Sequence, residues 1–283
     1  MRAKIWLAGI VLVGAAGVAA PARADVWSKS FSFTGRPQFT LNTNEGRVTI
    51  VSRNQPGITA QVTTNGWKIG PEVKISAQQT GNAVDVEIHT PHWNFHFFGP
   101  SQNIAIELDV PSSADLDIHT GDGRISCDPV TGNVRLDTGD GAISVTGGSG
   151  ALQLHSGDGA IEASGLDGTL DASTGDGHIH VSGRFDALQL QTGDGSVEAA
   201  ASAGSKIGTG WSVNTGDGSI RLRLPANFAA YLYAHTGDGK ISLDFPVTVS
   251  GVLNRTTVNG EINGGGGSLR LRTGDGSIHI EKF

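Results

Sequence analysis

The residues with the clearest chemical potential are aspartates that recur in one short motif. Thr-Gly-Asp-Gly occurs seven times and Ser-Gly-Asp-Gly once, and the first five copies are spaced 18 residues apart. If these copies stack one strand spacing apart, neighbouring carboxylates lie about 5–8 Å from each other and repel. Bound calcium would offset this repulsion, and its candidate ligands are Asp122, Asp140, Asp158, Asp176 and Asp194.

A structural role for these aspartates is the simpler interpretation, because aspartate in a glycine-rich turn normally hydrogen-bonds its own backbone two residues on. Calcium-binding β-rolls also use two nonapeptides per coil, but their ligand aspartate falls at position 6 of the nonapeptide. Here position 6 is apolar, as at Ile143, Leu152 and Ile161. The sequence therefore predicts no cofactor, with calcium as the less favoured alternative.

Histidines recur one residue before the aspartate motif. His119, Asp137 and His155 occupy the same column of the repeat, which predicts a stacked polar ladder. A metal site is the less favoured alternative, since zinc needs three or four ligands around one point. The single cysteine, Cys127, falls at an apolar position and is expected in the core.

The sequence gives little support for a catalytic function. The motifs G-x-S-x-G, H-E-x-x-H and G-x-x-x-x-G-K-[ST] are absent. Some β-helix proteins cleave polysaccharides with paired carboxylates, which keeps a carbohydrate-active enzyme as an alternative. A catalytic pair needs unusual neighbours at one place, whereas every coil here carries the same aspartate. We therefore predict a non-enzymatic protein.

The elements that position these side chains follow from the repeat itself. Each 18-residue unit divides into two nines, such as TGDGAISVT and GGSGALQLH, with a turn at positions 1–4 and apolar residues at positions 6 and 8. This period-two alternation predicts a turn and a short strand in each nine. Because every strand follows the same turn in the same phase, we expect an all-β parallel β-solenoid with two strands per coil. We also expect the glycine at position 4 to need a positive φ.

The alternation predicts which side chains point inward. These are Ile125, Cys127, Val134, Leu136, Ile143, Val145, Leu152, Leu154, Ile161, Ala163, Leu170, Ala172, Ile179, Val181, Leu188 and Leu190.

The chain is expected to have a cap over residues 25–112 and the solenoid over 113–283. Within the cap, residues 39–50 resemble one degenerate coil, and several other segments alternate as ordinary strands. An aromatic stretch between two of these strands is either a hydrophobic plug or an exposed contact patch. Its residues are Trp93, Phe95, Phe97 and Phe98.

Residues 1–24 have the pattern of a cleaved export signal: a basic start, an apolar run and Ala22-Arg23-Ala24. Removing them leaves 17 basic and 27 acidic residues and a net charge of −10, which argues against a nucleic-acid partner. No second apolar span follows, so we expect no membrane span after cleavage. The protein is predicted to lie in the periplasm, at the cell surface or outside the cell.

The export signal, the irregular N-terminal third and the alternating TGDG-x-I-x-V and G-x-x-G-x-L-x-L units together resemble a bacterial putative-adhesin family, related to the head domains of putative autotransporter adhesins. The resemblance covers about residues 30–283. It implies a single-stranded β-helix on the cell envelope or outside it, and it supplies no catalytic residues.

The predicted function is structural or adhesive, through multivalent contacts with a component of the cell surface or envelope, with a glycan as one candidate. Alternatives are a carbohydrate-binding or carbohydrate-active β-helix and a scaffold that polymerises end to end. The last coil, residues 268–280, is expected to form the terminal layer of the rod. A monomer is favoured over an oligomer.

Overall fold

A computed structural model describes residues 24–91 and 102–283, and this part of the chain is all β-structure. Within it, no helix is long and apolar enough to cross a membrane. The predicted export signal and the aromatic residues Trp93, Phe95, Phe97 and Phe98 lie outside the described residues.

In the described residues, twenty-two strands join into a single sheet system. In chain order they are β1 (Asp25–Ser32), β2 (Gln38–Thr43), β3 (Arg47–Arg53), β4 (Gly57–Asn65), β5 (Lys74–Thr80), β6 (Ala83–His89), β7 (Asn103–Pro111), β8 (Asp115–Thr120), β9 (Ile125–Cys127), β10 (Thr131–Thr138), β11 (Ile143–Ser156), β12 (Ile161–Thr174), β13 (Ile179–Thr192), β14 (Val197–Ala201), β15 (Trp211–Thr215), β16 (Ile220–Leu224), β17 (Ala230–Thr236), β18 (Ile241–Leu243), β19 (Val247–Leu253), β20 (Thr257–Ile262), β21 (Gly267–Thr273) and β22 (Ile278–Lys282).

The strands pair in two mostly parallel ladders. The first ladder runs β1-β4-β7-β3-β9-β11-β12-β13-β14-β16-β22-β18. The second runs β5-β6-β2-β8-β10-β11-β12-β13-β15-β21-β17-β20-β19. The 18-residue period sets the register, so that Ile143 faces Ile161 and Leu152 faces Leu170.

Strands β11, β12 and β13 each run without a break through 14 residues and contribute to both ladders. In β11 the chain turns at Gly147 and Gly148, whose φ angles of +73° and +124° favour glycine. A single strand therefore spans the two apolar segments of each of these repeats.

The core lies between the two ladders. All sixteen residues predicted to point inward are buried, from Ile125 to Leu190. Burial follows directly from the alternation, because successive side chains of a strand point to opposite faces. Each coil stacks its apolar side chains on those of the next, which explains why the repeat occurs in many consecutive copies.

The N-terminal strands do not stack in chain order. Strands β2 and β3 form a coil that lies between β6–β7 on one side and β8–β9 on the other. Strands β4 and β5 pair antiparallel with β7 and β6, and β1 pairs antiparallel with β4. Antiparallel strands therefore end both ladders on this side.

The C-terminal coil is also internal, and the expectation that residues 268–280 form the terminal layer is wrong. Strands β21 and β22 insert between β15–β16 and β17–β18. The apolar residues expected at the end of the rod are at most 1% exposed, because the preceding coil folds back over them. They are Leu269, Leu271, Ile278 and Ile280.

The segment Thr257-Val258-Asn259-Gly260 resembles a degenerate copy of the turn motif but is not one. It belongs to β20, which pairs antiparallel with β17 and covers the second ladder at its C-terminal end.

Candidate functional site

Each repeat turn begins with a buried hydroxyl that links two coils. The Oγ1 atom of Thr138 donates to the carbonyl of Gly123 in the preceding coil at 2.9 Å and accepts from the N–H of Gly141 at 3.3 Å. Ser156 makes the same pair of bonds with Gly141 and Gly159. The inter-coil bond recurs at Thr174, Thr192, Thr215, Thr273 and Thr236.

The glycines of the turn allow the backbones to approach closely. The N–H of Gly139 donates to the carbonyl of Gly121 at 2.6 Å, and Gly157 makes the equivalent bond to Gly139. A Cβ atom at Gly141 would overlap the carbonyl oxygen of Gly123. Lack of space is therefore what requires glycine at this position.

The prediction of a positive φ at position 4 of each nine holds in one half of the repeat. Gly150 and Gly168, in the second nine, have φ angles of +118° and +137°. Gly141 and Gly159, in the Thr-Gly-Asp-Gly half, do not lie in that region, and there the prediction is wrong.

The turn aspartates all point into solvent. Asp122, Asp140, Asp158, Asp176 and Asp194 are exposed. Within residues 24–91 and 102–283, no three His, Cys, Asp or Glu side chains are grouped so as to hold a metal ion. Calcium binding by these aspartates stays a prediction for experiment.

The polar column that the sequence predicted is assembled in the second ladder. Asp137 pairs in register with His119 on one side and with His155 on the other. The Nδ1 atom of His119 lies 4.0 Å from Asp137 Oδ2, and its Nε2 atom lies 2.8 Å from Asp117 Oδ1. Nδ1 of His155 lies 2.9 Å from Ser173 Oγ.

Two shallow cavities adjoin on the outer face of this ladder. They have volumes of about 400 and 410 Å³ and share Arg135 and Gln153. The other polar residues that line them include Asp115, Asp117, Asn133, Asp137, His155 and Asp171. The surface therefore offers carboxylate, amide, imidazole and guanidinium groups side by side.

An arginine side chain links two neighbouring coils. Arg184 donates to both carboxylate oxygens of Asp186, at 2.7 and 2.9 Å, and its Nε donates to Asp167 at 2.6 Å. These hydrogen bonds lower the pKa of Asp186 and raise the pKa of Arg184. Because Arg184 of β13 bonds both to Asp186 of its own strand and to Asp167 of β12, its role is structural.

Cys127 lies in the core, as predicted. Burial raises the pKa of its thiol from 9.0 to about 12, with a further contribution from the charge of Asp128. A thiolate is the reactive form of cysteine, so this side chain is not a nucleophile in the folded protein.

This architecture matches a known protein family. A model of the Toastrack DUF4097 family matches residues 38–281. The chain belongs to this family. The Toastrack region therefore covers both the irregular N-terminal strands from β2 onward and the repeat coils.

Solved structures are similar to the chain at low sequence identity. A putative lipid binding protein from Parabacteroides distasonis ATCC 8503 is 14% identical, with a TM-score of 0.50, over 90% of this chain and 96% of that one. A putative cell adhesion protein from Clostridium sporogenes ATCC 15579 is also 14% identical, with a TM-score of 0.33, over 92% and 100% of the two chains. No curated protein matches the chain.

Sequence reasoning missed a group of side chains on the last coils of the Toastrack domain. Tyr233 of β17 pairs in register with Arg270 of β21, and Tyr231 and Arg272 flank this pair on their own strands. Alternation in YLYAHT and SLRLRT marks these residues as outward-facing. Their proximity depends on the insertion of β21 next to β17, which no spacing rule of the repeat predicts.

Proposed function

We propose that this Toastrack protein is an exported, non-enzymatic, adhesin-like protein that acts through repeated contacts along the outer surface of its ladders. One observation carries the proposal: an unbroken column of outward polar side chains along the second ladder, one per coil and about 4.8 Å apart. The column consists of Thr40, Asp117, Arg135, Gln153, Asp171, Gln189, Ser212 and Arg270.

Such regular spacing suits a partner that is itself a repeating polymer. Many weak contacts then add without any one deep pocket, because each bound unit raises the effective concentration of the next. The proposed partner is a component of the cell surface or envelope. The proposed location is the periplasm, the cell surface or the extracellular space, on the strength of the signal pattern in residues 1–24.

The architecture proposed here has two strands per coil, which run together as one continuous strand in β11, β12 and β13, and a cap formed by residues 25–112. The antiparallel strands β1, β4 and β5 support the cap, since they end the ladders on that side. A monomer is proposed in preference to an end-to-end polymer. The apolar layer that would have driven polymerisation is buried under β17 and β18.

A second candidate function is carbohydrate binding, which the two adjoining cavities around Arg135 and Gln153 favour. Planar amides, carboxylates and guanidinium groups suit the hydroxyls of a saccharide because they offer several hydrogen bonds in one plane.

Two measurements test the proposal. Fractionation of the native host should place the protein outside the cytoplasm, and an array of envelope polysaccharides should retain the purified protein. A reducing-sugar assay on bound polysaccharides should show no cleavage. A cytoplasmic protein, the absence of any retained polymer, or release of reducing ends would each contradict it.

A further inference from the structure

A cluster of aromatic and cationic side chains stands out at the C-terminal end of the second ladder. We define the Tyr–Arg face as Tyr231, Tyr233, Arg270 and Arg272, which project outward from the adjacent strands β17 and β21. Ser212 and Asn214 of β15 continue it toward the middle of the rod. In space the three strands lie in the order β15, β21, β17, whereas along the chain they follow in the order β15, β17, β21.

The two arginines of this face are available to a partner. Within the described part of the chain, the arginines found in ion pairs are Arg36, Arg53, Arg135, Arg184, Arg221 and Arg223. Arg270 and Arg272 are exposed and have no carboxylate within 4.0 Å among those residues. Their guanidinium charges therefore have no ion-pair partner within the described part of the chain.

The tyrosines give the face a defined shape. The guanidinium carbon of Arg272 lies 5.3 Å from the ring centroid of Tyr233, a distance at which the ring attracts the cation. Tyr231 is 52% exposed. Its ring lies against Gly265, where a Cβ atom would be 2.8 Å from Cε1. The Tyr231 ring and the Arg272 guanidinium group are thus in contact with their neighbours before any ligand arrives.

The distribution of charge along the chain indicates the sign of the charge that a partner should carry. Residues 113–200 contain 14 acidic and 3 basic residues, a net charge of −11. Residues 201–283 contain 6 acidic and 8 basic residues, a net charge of +2. A negatively charged polymer is therefore repelled by the middle of the rod and attracted at the Tyr–Arg face.

We propose that the Tyr–Arg face binds an anionic polysaccharide. The guanidinium groups of Arg270 and Arg272 would bind its acidic groups in forked hydrogen bonds, and the exposed ring of Tyr231 would stack on a sugar ring. A polysaccharide fits better than a membrane surface, because the face is rich in hydrogen-bonding groups and, among its four residues, only Tyr231 exposes a large apolar side chain strongly. This inference rests on the proposed adhesive function and adds an anionic ligand that binds at one end of the column.

The test is direct binding to defined polymers at low and high salt. The probes are oligogalacturonate, dextran sulfate, neutral dextran and vesicles of phosphatidylglycerol with phosphatidylcholine. The double variant R270A/R272A and the single variant Y231A should each weaken binding of an anionic polymer at least tenfold. The matched control is R221A, which removes an exposed arginine of the first ladder that is paired to Glu281 at 3.2 Å. It should bind as the wild type does.

Binding of oligogalacturonate or of dextran sulfate, lost in R270A/R272A and weakened by salt, supports the proposal and identifies the acidic group. Equal binding of neutral dextran, binding to vesicles alone, or an equal loss in R221A overturns it. Unchanged binding of the anionic polymers by R270A/R272A would overturn this inference, and retention of envelope polysaccharides by the same variant would show that the adhesive function is intact. Thermal unfolding of every variant verifies that the exposed substitutions leave the fold unchanged.

Discussion

Thr215 pairs in register with Thr273, 58 residues further along the chain, and not with Thr236, which begins the next copy of the turn motif. Thr236 instead pairs with Thr273 from the other side. The coil that comes last in sequence is therefore held between two coils that precede it. This coil is therefore hydrogen-bonded to a neighbouring coil on both sides.

The inserted coil should be as sensitive to disruption as the middle of the rod. Leu271→Asp should destabilise the protein about as strongly as Leu154→Asp, because each places an unpaired charge at a site at most 2% exposed. Urea unfolding monitored by circular dichroism measures both variants. The control is Ser268→Asp at an exposed position of the same strand, which should be nearly neutral. A mild effect of Leu271→Asp would show that the coil is peripheral.

The buried hydroxyl of the turn should contribute measurably to stability. Thr138→Val keeps the shape of the side chain but leaves the carbonyl of Gly123 and the N–H of Gly141 without this partner, at a cost of about 1–3 kcal/mol in the free energy of unfolding. Thr138→Ser should cost much less, because Ser156 already makes the same two bonds. Equal stability of the two variants in urea would rule out this role for the hydroxyl.

The turn glycine should tolerate no side chain. Gly141→Ala puts a methyl group against the carbonyl oxygen of Gly123, so the two coils must separate. We expect a loss of about 1–3 kcal/mol, typical of overpacking at a site that cannot relax. Thermal unfolding compares this variant with Ser144→Ala on the outward side of β11, where no loss is expected. Equal melting temperatures would contradict the requirement for close approach.

The buried thiol predicts a specific dependence of stability on pH. Burial raises the pKa of Cys127 to about 12, against 9.0 for the unperturbed group, so the folded state keeps a proton that the unfolded state releases. The contribution is complete below pH 9 and is lost as the pH rises toward 12. Cys127→Ala should therefore lose less stability than the wild type between pH 9 and 11, measured by urea unfolding. Identical slopes would place the thiol in contact with water.

Folding should not require calcium. The turn aspartates are exposed, and the turns are held by backbone and hydroxyl hydrogen bonds. Protein treated with a chelator should unfold at the same temperature as protein in millimolar calcium chloride. Asp158→Asn gives a matched comparison, since it removes one charge from the row. If calcium restores strand structure lost in the chelator, the aspartates are ligands.

Much of the repeat region follows from the sequence. The 18-residue period fixes the register, and the alternation at positions 6 and 8 fixes which side chains are buried, as Leu152 and Leu154 show. These features can be predicted from the repeat alone, because each strand pairs with the equivalent strand of the next repeat, 18 residues away. The stacked column of His119, Asp137 and His155 follows for the same reason.

The order of the coils at the two ends was decided only by the tertiary structure. The sequence of β21 and β22 fits equally well at the end of the rod or inside it, because the apolar pattern of one coil complements any other. In the structure both faces of this coil are covered, by β15 and by β17, and the outer side of β17 is covered by β20. The same non-local choice creates the Tyr–Arg face, since it brings Tyr233 beside Arg270 across 37 residues of chain.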